Sequence, residues 1–283
     1  ILNGTGRRRP DKLEDQTGRL LDLLATHNCR ATFFCLGKSL VKNPGLVRRV
    51  AAAGHEIASH GWNHEPIYRI GLRALRSDLQ RSIAWLSDLT GREILGYRAP
   101  AFSVASRQLE GFYDVCFESG LTYDSSVFPI RGRRYGIPGA ARCPHLVRRD
   151  GDRKLVELPL GTVTWGGRTW PIAGGGWWRL LPASIIHASI TRCNREGLPT
   201  MTYFHPYEFD PGRLSTVLAA GWSLRSVLWY FRQETGRASV YRKLDRMLST
   251  HRFYAVEDYL RDQNYLETQR AGARPLRRPL VAV

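Results

Sequence analysis

Two histidines stand four residues apart at the end of a short apolar run of the sequence. The run Glu56–Ser59 is predicted to be a strand, so His60 leaves its end and His64 follows one helical turn later. Two imidazoles at this spacing can bind one divalent cation. Two unrelated surface histidines are an equally good interpretation of the spacing alone, because the pattern recurs by chance and lacks the glutamate of the HExxH metal motif.

Three further residues with chemical potential come directly after predicted strands. They are Arg98, Asp124 and His205. Because the carboxyl ends of parallel strands meet on one side of a barrel, these side chains are expected near His60 and His64. Polar residues scattered at random would not be expected at equivalent strand ends. The alternatives are that Arg98 is a structural ion-pair partner and that His205 only caps its strand.

The elements that must position these residues alternate between strand and helix patterns. Apolar stripes at helical spacing separate short apolar runs along most of the chain. The predicted strands are residues 31–35, 56–59, 94–97, 121–123, 154–158, 200–204 and 253–256, and two late helices are predicted at residues 214–232 and 240–248. This alternation predicts an α/β fold with a parallel sheet covered by helices, and the number of strands favours a (β/α) barrel.

One domain accounts for most of the chain. We predict a barrel over residues 1–262, with a turn-rich insertion near residues 125–153. From residue 263 the composition turns to Arg, Pro and Ala with little periodicity. Residues 263–283 are therefore predicted to form a basic, flexible tail.

The chain of 283 residues carries a formal net charge of +17. Clustered cations can bind nucleic acid by releasing counterions from its phosphates, but these arginines are spread along the chain outside any recognisable binding module. A general arginine bias is the favoured interpretation, with some contribution to holding acidic polymers or lipid surfaces. We therefore predict no specific nucleic-acid partner.

Targeting signals are not evident in the sequence. No run of eighteen apolar residues occurs, so no transmembrane segment is predicted. The first residues carry arginines without an apolar stretch behind them, so no signal peptide is predicted and a cytoplasmic location is expected. A membrane-peripheral or periplasmic location is the alternative if the N-terminus is incomplete. The five cysteines show no CxxC spacing, which favours a reducing compartment or buried thiols over disulfides.

Taken together, the motifs resemble the NodB-type polysaccharide deacetylases, carbohydrate esterase family 4, and most closely the subgroup that accompanies exosortase and exopolysaccharide gene clusters. The resemblance covers residues 15–260, and its motifs are residues 31–34, 60–64, 97–102, 123–129 and 204–206, in the family's order. It implies a distorted (β/α) barrel. The implied reaction is the metal-assisted removal of an acetyl group from an N-acetylated sugar of a polysaccharide.

The resemblance also assigns roles to the strand-end residues. His60 and His64 match the family's metal-binding histidines, and Zn²⁺ is the expected cofactor, with Co²⁺, Ni²⁺ or Mn²⁺ as alternatives. A bound cation would polarise the amide carbonyl and lower the pKa of the attacking water. His205 matches the late histidine that protonates the departing sugar amine, and Arg98 matches the arginine that orients the family's catalytic aspartate.

Four more residues receive expected roles. Asp124 is expected to orient neighbouring catalytic groups, although many relatives place an acid further along this motif, where this chain has Val127. Phe102 and Phe128 are expected to wall the acetyl pocket. Trp177 follows a glycine run and is a candidate for stacking on sugar rings, with core packing as the alternative.

The family's first motif has no counterpart in the sequence. That motif is a strand ending in paired aspartates, which supply the general base and the third metal ligand. Asp11, Glu14 and Asp15 have no apolar strand before them, so the first barrel strand is expected to be missing. We favour an incomplete N-terminal sequence; the alternative is a catalytically silent carbohydrate-binding barrel. For this polypeptide we expect weak or no deacetylase activity.

Overall fold

The structure is a computed structural model, and it describes residues 12–132, 135–210, 234–266 and 281–282. In the first half of the chain, helices and strands alternate regularly. The elements are α1 (Lys12–Thr26), β1 (Thr32–Cys35), α2 (Gly37–Leu40), α3 (Pro44–Ala52), β2 (Glu56–Ser59), α4 (Ile67–Thr90), β3 (Gly96–Tyr97), α5 (Leu109–Glu118) and β4 (Tyr123–Asp124).

The second half adds antiparallel pairs to this alternation. Its elements are β5 (His145–Asp150), β6 (Arg153–Glu157), β7 (Thr162–Trp165), β8 (Arg168–Pro171), α6 (Gly176–Leu180), α7 (Ala183–Arg195), β9 (Thr200–Met201), α8 (Val240–Thr250), β10 (Phe253–Tyr254), α9 (Val256–Asp262) and β11 (Val281–Ala282). Each predicted strand has a counterpart among these strands. The helix predicted at residues 214–232 lies outside the described residues.

The largest sheet aligns the strand ends that were expected to carry the chemistry. Its order is β1-β2-β3-β4-β6-β5, and its strands are parallel except for β5. The register pairs Ser59 with Tyr97, Tyr97 with Asp124, and Asp124 with Glu157. The last residues of four strands therefore stand level with one another, and the residues that follow them emerge at one edge.

A second parallel sheet continues around the fold. Its order is β10-β11-β9, and a parallel bridge between Leu160 and Met201 connects it to the segment after β6. Among the described residues, β1 pairs with β2 alone. The hydroxyl of Thr32 on β1 accepts a hydrogen bond from the backbone N–H of Val256 at 2.8 Å, so side-chain contacts join β1 to the residues after β10.

Two antiparallel pairs, β5–β6 and β7–β8, were not predicted from the sequence. In β5 two adjacent apolar residues, Leu146 and Val147, precede two arginines, and Arg148 donates hydrogen bonds to Asp114 and Glu110 on α5. Such a charged edge strand gives no clear alternating signal. The predicted insertion near 125–153 therefore includes β5, which pairs with β6 and extends the main sheet. Within the predicted tail, Val281–Ala282 is a strand between β9 and β10.

Helices α4 and α5 cover the outer face of the sheet beside the site. Leu79 and Phe112 are both 0% exposed there and pack in one cluster with Tyr97. Burying one such side chain stabilises the fold by about 1.5–3 kcal/mol. All five cysteines are free thiols. A bilayer-spanning helix is not found in the described ranges.

Candidate active site

The structure brings the two predicted ligand histidines together at the end of β2. Their ring centroids are 5.1 Å apart, with the ring planes at 64°. The Nδ1 atom of His60 lies 2.7 Å from the carbonyl oxygen of Arg98. Because a carbonyl can only accept, Nδ1 carries the proton, and the lone pair of the neutral ring is on Nε2. This is the tautomer that a metal ligand requires, held by a backbone acceptor.

The surroundings of both rings favour the neutral state. Burial, followed by the neighbouring His64, lowers the pKa of His60 to about 3. Burial and then the nearby His205 lower the pKa of His64. Metal binding requires unprotonated imidazole nitrogen, so these shifts favour a cation over a proton at the pair.

Asp78 on α4 fixes the loop that carries the pair. Its carboxylate accepts hydrogen bonds from the backbone N–H groups of Trp62 at 2.6 Å and Asn63 at 3.0 Å, and from the Asn63 side chain at 2.8 Å. A Cβ atom on Gly61, whose φ is 80°, would lie 2.7 Å from the carboxylate. The sequence analysis missed Asp78; its only signal is an acidic residue beside the apolar stripe of α4.

Strained backbone conformations concentrate around the site. Five non-glycine residues among those described have positive φ, and three of them are His64 at 60°, Ala101 at 54° and Phe102 at 51°. Such conformations cost of order 1–3 kcal/mol each and persist where surrounding contacts impose them. The fold thus holds the second histidine and the loop after Arg98 in fixed, unfavourable geometries.

Arg98 is 5% exposed and lies under the site. Its Nε and terminal NH2 donate to the carbonyl and hydroxyl of Ser125 at 3.0 and 2.9 Å, and its guanidinium carbon lies 4.1 Å from the centre of the Phe34 ring. Burial lowers the pKa of Arg98 to about 10. Within the described ranges no carboxylate forms an ion pair with this guanidinium, which argues against a structural ion pair there.

Asp124 is fully buried, and its contacts are internal to the fold. Its oxygens accept hydrogen bonds from the backbone N–H and the hydroxyl of Ser126 at 2.9 and 2.7 Å. Glu157 lies beside it and accepts the backbone N–H of Val127 at 3.1 Å. Burial raises the pKa of both carboxyl groups, and the charge of Asp124 raises that of Glu157 further. Asp124 and Glu157 thus fix the backbone of the turn after β4 through Ser126 and Val127. The expected role of Asp124 in orienting catalytic groups stays a prediction.

Phe102 belongs to a cluster of four aromatic rings. Its ring centroid lies 4.9 Å from that of Tyr203, 5.8 Å from Phe128 and 6.1 Å from Tyr135. Phe128 is fully buried, whereas Phe102 and Tyr203 are partly exposed. The cluster forms an apolar wall with an accessible rim. The sequence analysis did not single out Tyr203 or Tyr135, which pack here through long-range contacts.

The tryptophan pair after the glycine run divides between core and surface. Trp178 is fully buried, and its Nε1–H donates to the carbonyl of Ile172 at 2.8 Å. Trp177 is the second residue of α6 and is partly exposed. Its ring makes none of the ring contacts that join Phe102 to its neighbours, so the structure does not bring Trp177 into the aromatic cluster.

His205 stands exposed after β9 and completes the group of histidines. Its ring is stacked on Tyr207 with centroids 5.3 Å apart and lies edge-on to Tyr203 at 5.7 Å. The charge of His205 contributes to the lowered pKa values of His60 and His64, so the three imidazoles share one electrostatic environment.

Among the described residues, His60 and His64 are the candidate protein ligands for a metal ion at this place. No group of three or more His, Cys, Asp or Glu side chains suited to a metal is found among them. The neutral rings of His60 and His64, one with its Nε2 lone pair fixed by Arg98, fit a divalent cation that takes its remaining ligands from elsewhere.

Two known protein families match successive parts of the chain. The second part, residues 125–261, matches a Domain of unknown function (DUF3473). The first part, residues 9–111, matches the family described as Polysaccharide deacetylase. Over this first part, the chain is similar to the polysaccharide deacetylases. His60, His64 and Arg98 lie within this deacetylase match, and His205 lies within the second match.

Named relatives resemble parts of the chain. The peptidoglycan-N-acetylglucosamine deacetylase PgdA of Listeria monocytogenes is 37% identical over 75 residues, which are 26% of this chain and 16% of that protein. The chitooligosaccharide deacetylase of Rhizobium leguminosarum bv. trifolii is 41% identical over 66 residues, which are 23% of this chain and 31% of that protein. The chain thus spans less than a third of the length of either relative.

A solved structure matches nearly the whole fold. It comes from Mycobacterium smegmatis, and its name places it among the polysaccharide deacetylases. The TM-score is 0.58 at 22% identity, over 94% of this chain and 82% of that chain. This likeness shows a shared fold and confirms the predicted α/β class with its distorted (β/α) barrel.

Proposed function

We propose that this protein is a hydrolase that removes acetyl groups from N-acetylated sugars of a polysaccharide by metal-assisted attack of water. One observation carries the proposal. The carbonyl oxygen of Arg98 lies 2.7 Å from Nδ1 of His60 and accepts its hydrogen bond, so the Nε2 lone pair of His60 stays available. The ring of His64 lies beside it, and the charge of His205 acts on both rings. Two neutral imidazoles beside a third, separately placed imidazole suit the hydrolysis of an amide.

His60 and His64 would hold the metal ion, for which we propose Zn²⁺, with Co²⁺, Ni²⁺ or Mn²⁺ as alternatives. When bound, the ion would polarise the acetyl carbonyl and lower the pKa of the attacking water. Asp78 supports the ligands indirectly, because its bonds to Trp62 and Asn63 fix the loop between them.

His205 would act as the general acid. It is exposed and held between Tyr203 and Tyr207, so its ring can meet a sugar at the mouth of the barrel. As the carbon–nitrogen bond of the acetamide breaks, the electron pair goes to nitrogen, which takes a proton from His205. The products are acetate and the free amino sugar.

Arg98 would orient the carboxylate that serves as general base. Its buried guanidinium has no ion-pair partner among the described residues, and a buried charge is stable only when it is compensated. The carboxylate of the general base would supply that compensation. The rings of Phe102 and Tyr203 would bound the space for the acetyl methyl group.

The names of the relatives support an acetylated amino-sugar polymer as substrate, and the resemblance to the exosortase-associated subgroup supports an exopolysaccharide. A second function has one observation in its favour. The described residues lack a third protein ligand for the metal, as expected for a catalytically silent carbohydrate-binding barrel.

Acetate release from N-acetylglucosamine oligosaccharides tests the proposal. The natural full-length protein is assayed with saturating Zn²⁺, together with His60→Ala and the matched surface variant His187→Ala. We expect release that His60→Ala abolishes and His187→Ala leaves unchanged. Oligosaccharide binding by calorimetry without any release supports the silent barrel instead. Absence of both binding and release contradicts both functions.

A further inference from the structure

We infer that Glu208 is the positioning residue for His205 and that it directs the imidazole toward the substrate nitrogen. The inference rests on the proposed function. Glu208 lies in the short turn after β9, Pro206–Phe209, and is 1% exposed. Its Oε2 accepts the backbone N–H of His205 at 2.9 Å and lies 3.7 Å from the Nδ1 atom of the same residue.

A second buried group faces the other oxygen of this carboxylate. The Nε atom of Arg179 lies 3.5 Å from Oε1 of Glu208, and Arg179 is 9% exposed. A carboxylate so far from water needs a compensating charge to stay ionised. The buried guanidinium supplies a positive charge on one side of Glu208, and the exposed imidazole of His205 lies on the other side.

The backbone around Glu208 is fixed from two directions. The terminal NH1 of Arg237, a residue 4% exposed, donates to the carbonyl of Tyr207 at 3.1 Å and to the carbonyl of Asp210 at 2.6 Å. Gly175 donates its N–H to the carbonyl of Tyr203 at 3.0 Å, which attaches the start of α6 to the end of β9. These contacts clamp the turn on either side of the carboxylate.

The geometry assigns a direction to the His205 ring. Tyr207 stacks on one face and Tyr203 meets it edge-on. The Nδ1 atom is the ring nitrogen that lies 3.7 Å from Oε2 of Glu208, and a hydrogen bond between them forms once the ring turns toward the carboxylate. With Nδ1–H toward the carboxylate, Nε2–H faces away and passes its proton to the departing nitrogen, which leaves a neutral ring and an unchanged Glu208 carboxylate.

Other carboxylates near the site do not serve this purpose. Asp124 and Glu157 are fully buried and bind Ser126 and Val127. Among the described residues, Glu208 is the one carboxylate that forms an ion pair with His205. Its position three residues after the histidine places it on the same short turn, so the histidine and its partner move together.

The test replaces Glu208 with glutamine. A glutamine is neutral and has one oxygen, so it cannot present an acceptor both to His205 and toward Arg179. The matched control is Asp245→Asn. His27 Nε2 lies 2.7 Å from Asp245, but that carboxylate is 51% exposed on α8 and serves no reacting group in this account.

Two measurements read the outcome in the full-length protein. Nitrogen-15 NMR of labelled histidine gives the His205 tautomer without substrate, and steady-state kinetics give kcat and KM for acetate release. We expect Glu208→Gln to shift neutral His205 from the Nδ1–H to the Nε2–H tautomer and to lower kcat about 10²- to 10³-fold, with KM changed less than about twofold. Glu208→Asp, which keeps the charge, should recover part of the loss, and Asp245→Asn should change neither value.

An unchanged tautomer together with an unchanged kcat in Glu208→Gln would overturn the inference. The two proposals can also be separated. If the wild-type protein releases no acetate, the proposed function fails, and the NMR measurement still decides the role of Glu208: the tautomer shift supports it and its absence refutes it. A circular dichroism melt of each variant verifies that it is folded.

Discussion

The protein contains two pairs of histidines with similar ring separations, and the two pairs use their nitrogens differently. The centroids of His60 and His64 are 5.1 Å apart, and those of His187 and His251 are 4.8 Å apart. In the second pair, Nε2 of His251 lies 3.1 Å from Nδ1 of His187, so the rings bond to each other at the surface. In the first pair, the backbone carbonyl of Arg98 accepts a hydrogen bond from Nδ1 of His60, so Nε2 remains available as a ligand atom.

The two pairs differ in the acceptor outside the pair and not in ring proximity, and we propose that such an acceptor distinguishes a ligand pair from a chance contact. The surface pair shares a proton between its own nitrogens and has no further partner that fixes its orientation in the described structure. The site pair has the carbonyl of Arg98, and the loop between its members is fixed by Asp78. Fixed ligands bind metal more tightly because less conformational freedom is lost on binding.

The largest expected effect is on Zn²⁺ affinity, which should depend on His60 and not on His187. Replacing His60 with alanine leaves His64 as the one remaining ligand of the pair. We therefore expect Zn²⁺ binding to weaken at least about 100-fold. The matched change His187→Ala should leave the affinity within about twofold. Isothermal titration calorimetry of the full-length variants measures both. Equal losses in the two variants would show that the pairs do not differ.

A smaller effect is expected from the loop anchor of the site pair. Asp78→Asn replaces a charged acceptor of three hydrogen bonds, so we expect about tenfold weaker Zn²⁺ binding. It should also lower the free energy of unfolding by about 1–3 kcal/mol. Asp88→Asn on the exposed side of the same helix is the control. Calorimetry and urea unfolding give the two quantities, and an unchanged affinity in Asp78→Asn would refute the anchoring role.

The smallest expected effect is on the pH dependence of stability. The folded-state pKa of His60, about 3, is below the ordinary value of 6.5, so the unfolded chain binds more protons between these values. The contribution of His60 to stability is therefore present above pH 6.5 and is lost as the pH falls toward 3. With chelator present, urea unfolding of His60→Ala should show a shallower decline over this window than the wild-type protein. His187→Ala should follow the wild type, and identical curves for all three proteins would contradict the buried environment of His60.

Hydrophobic periodicity, together with the residues that follow each predicted strand, was enough to predict the fold class and part of the candidate site. The alternating pattern predicted the α/β class and the positions of His60 and Arg98 directly after the neighbouring strands β2 and β3, whereas His205 follows β9 of the second sheet. These predictions succeeded because parallel strands in register bring their last residues to one level, as Ser59 and Tyr97 show. The resemblance to a known family then added roles, which stay predictions.

The residues that the sequence analysis missed act through contacts without a periodic signal. Asp78 and Tyr203 are far in sequence from the groups that they contact, and each resembles an ordinary polar or apolar residue of its own element. Glu208 lies only three residues from His205, but its role depends on burial and on Arg179, which sequence spacing does not reveal. The edge strand β5 was missed because its sequence shows no alternation. Strand β7 was missed although its four residues alternate, because it is short and lies outside the strand-helix rhythm.

Anomalous diffraction at the zinc edge, from crystals of the full-length protein grown with Zn²⁺, tests the central claim most directly. We expect a peak about 2.0–2.1 Å from the Nε2 atom of His60 and within bonding distance of a ring nitrogen of His64. The peak should disappear in His60→Ala and persist in His187→Ala. A peak confined to His187 and His251, or no peak at saturating Zn²⁺, would contradict the assignment of the metal site.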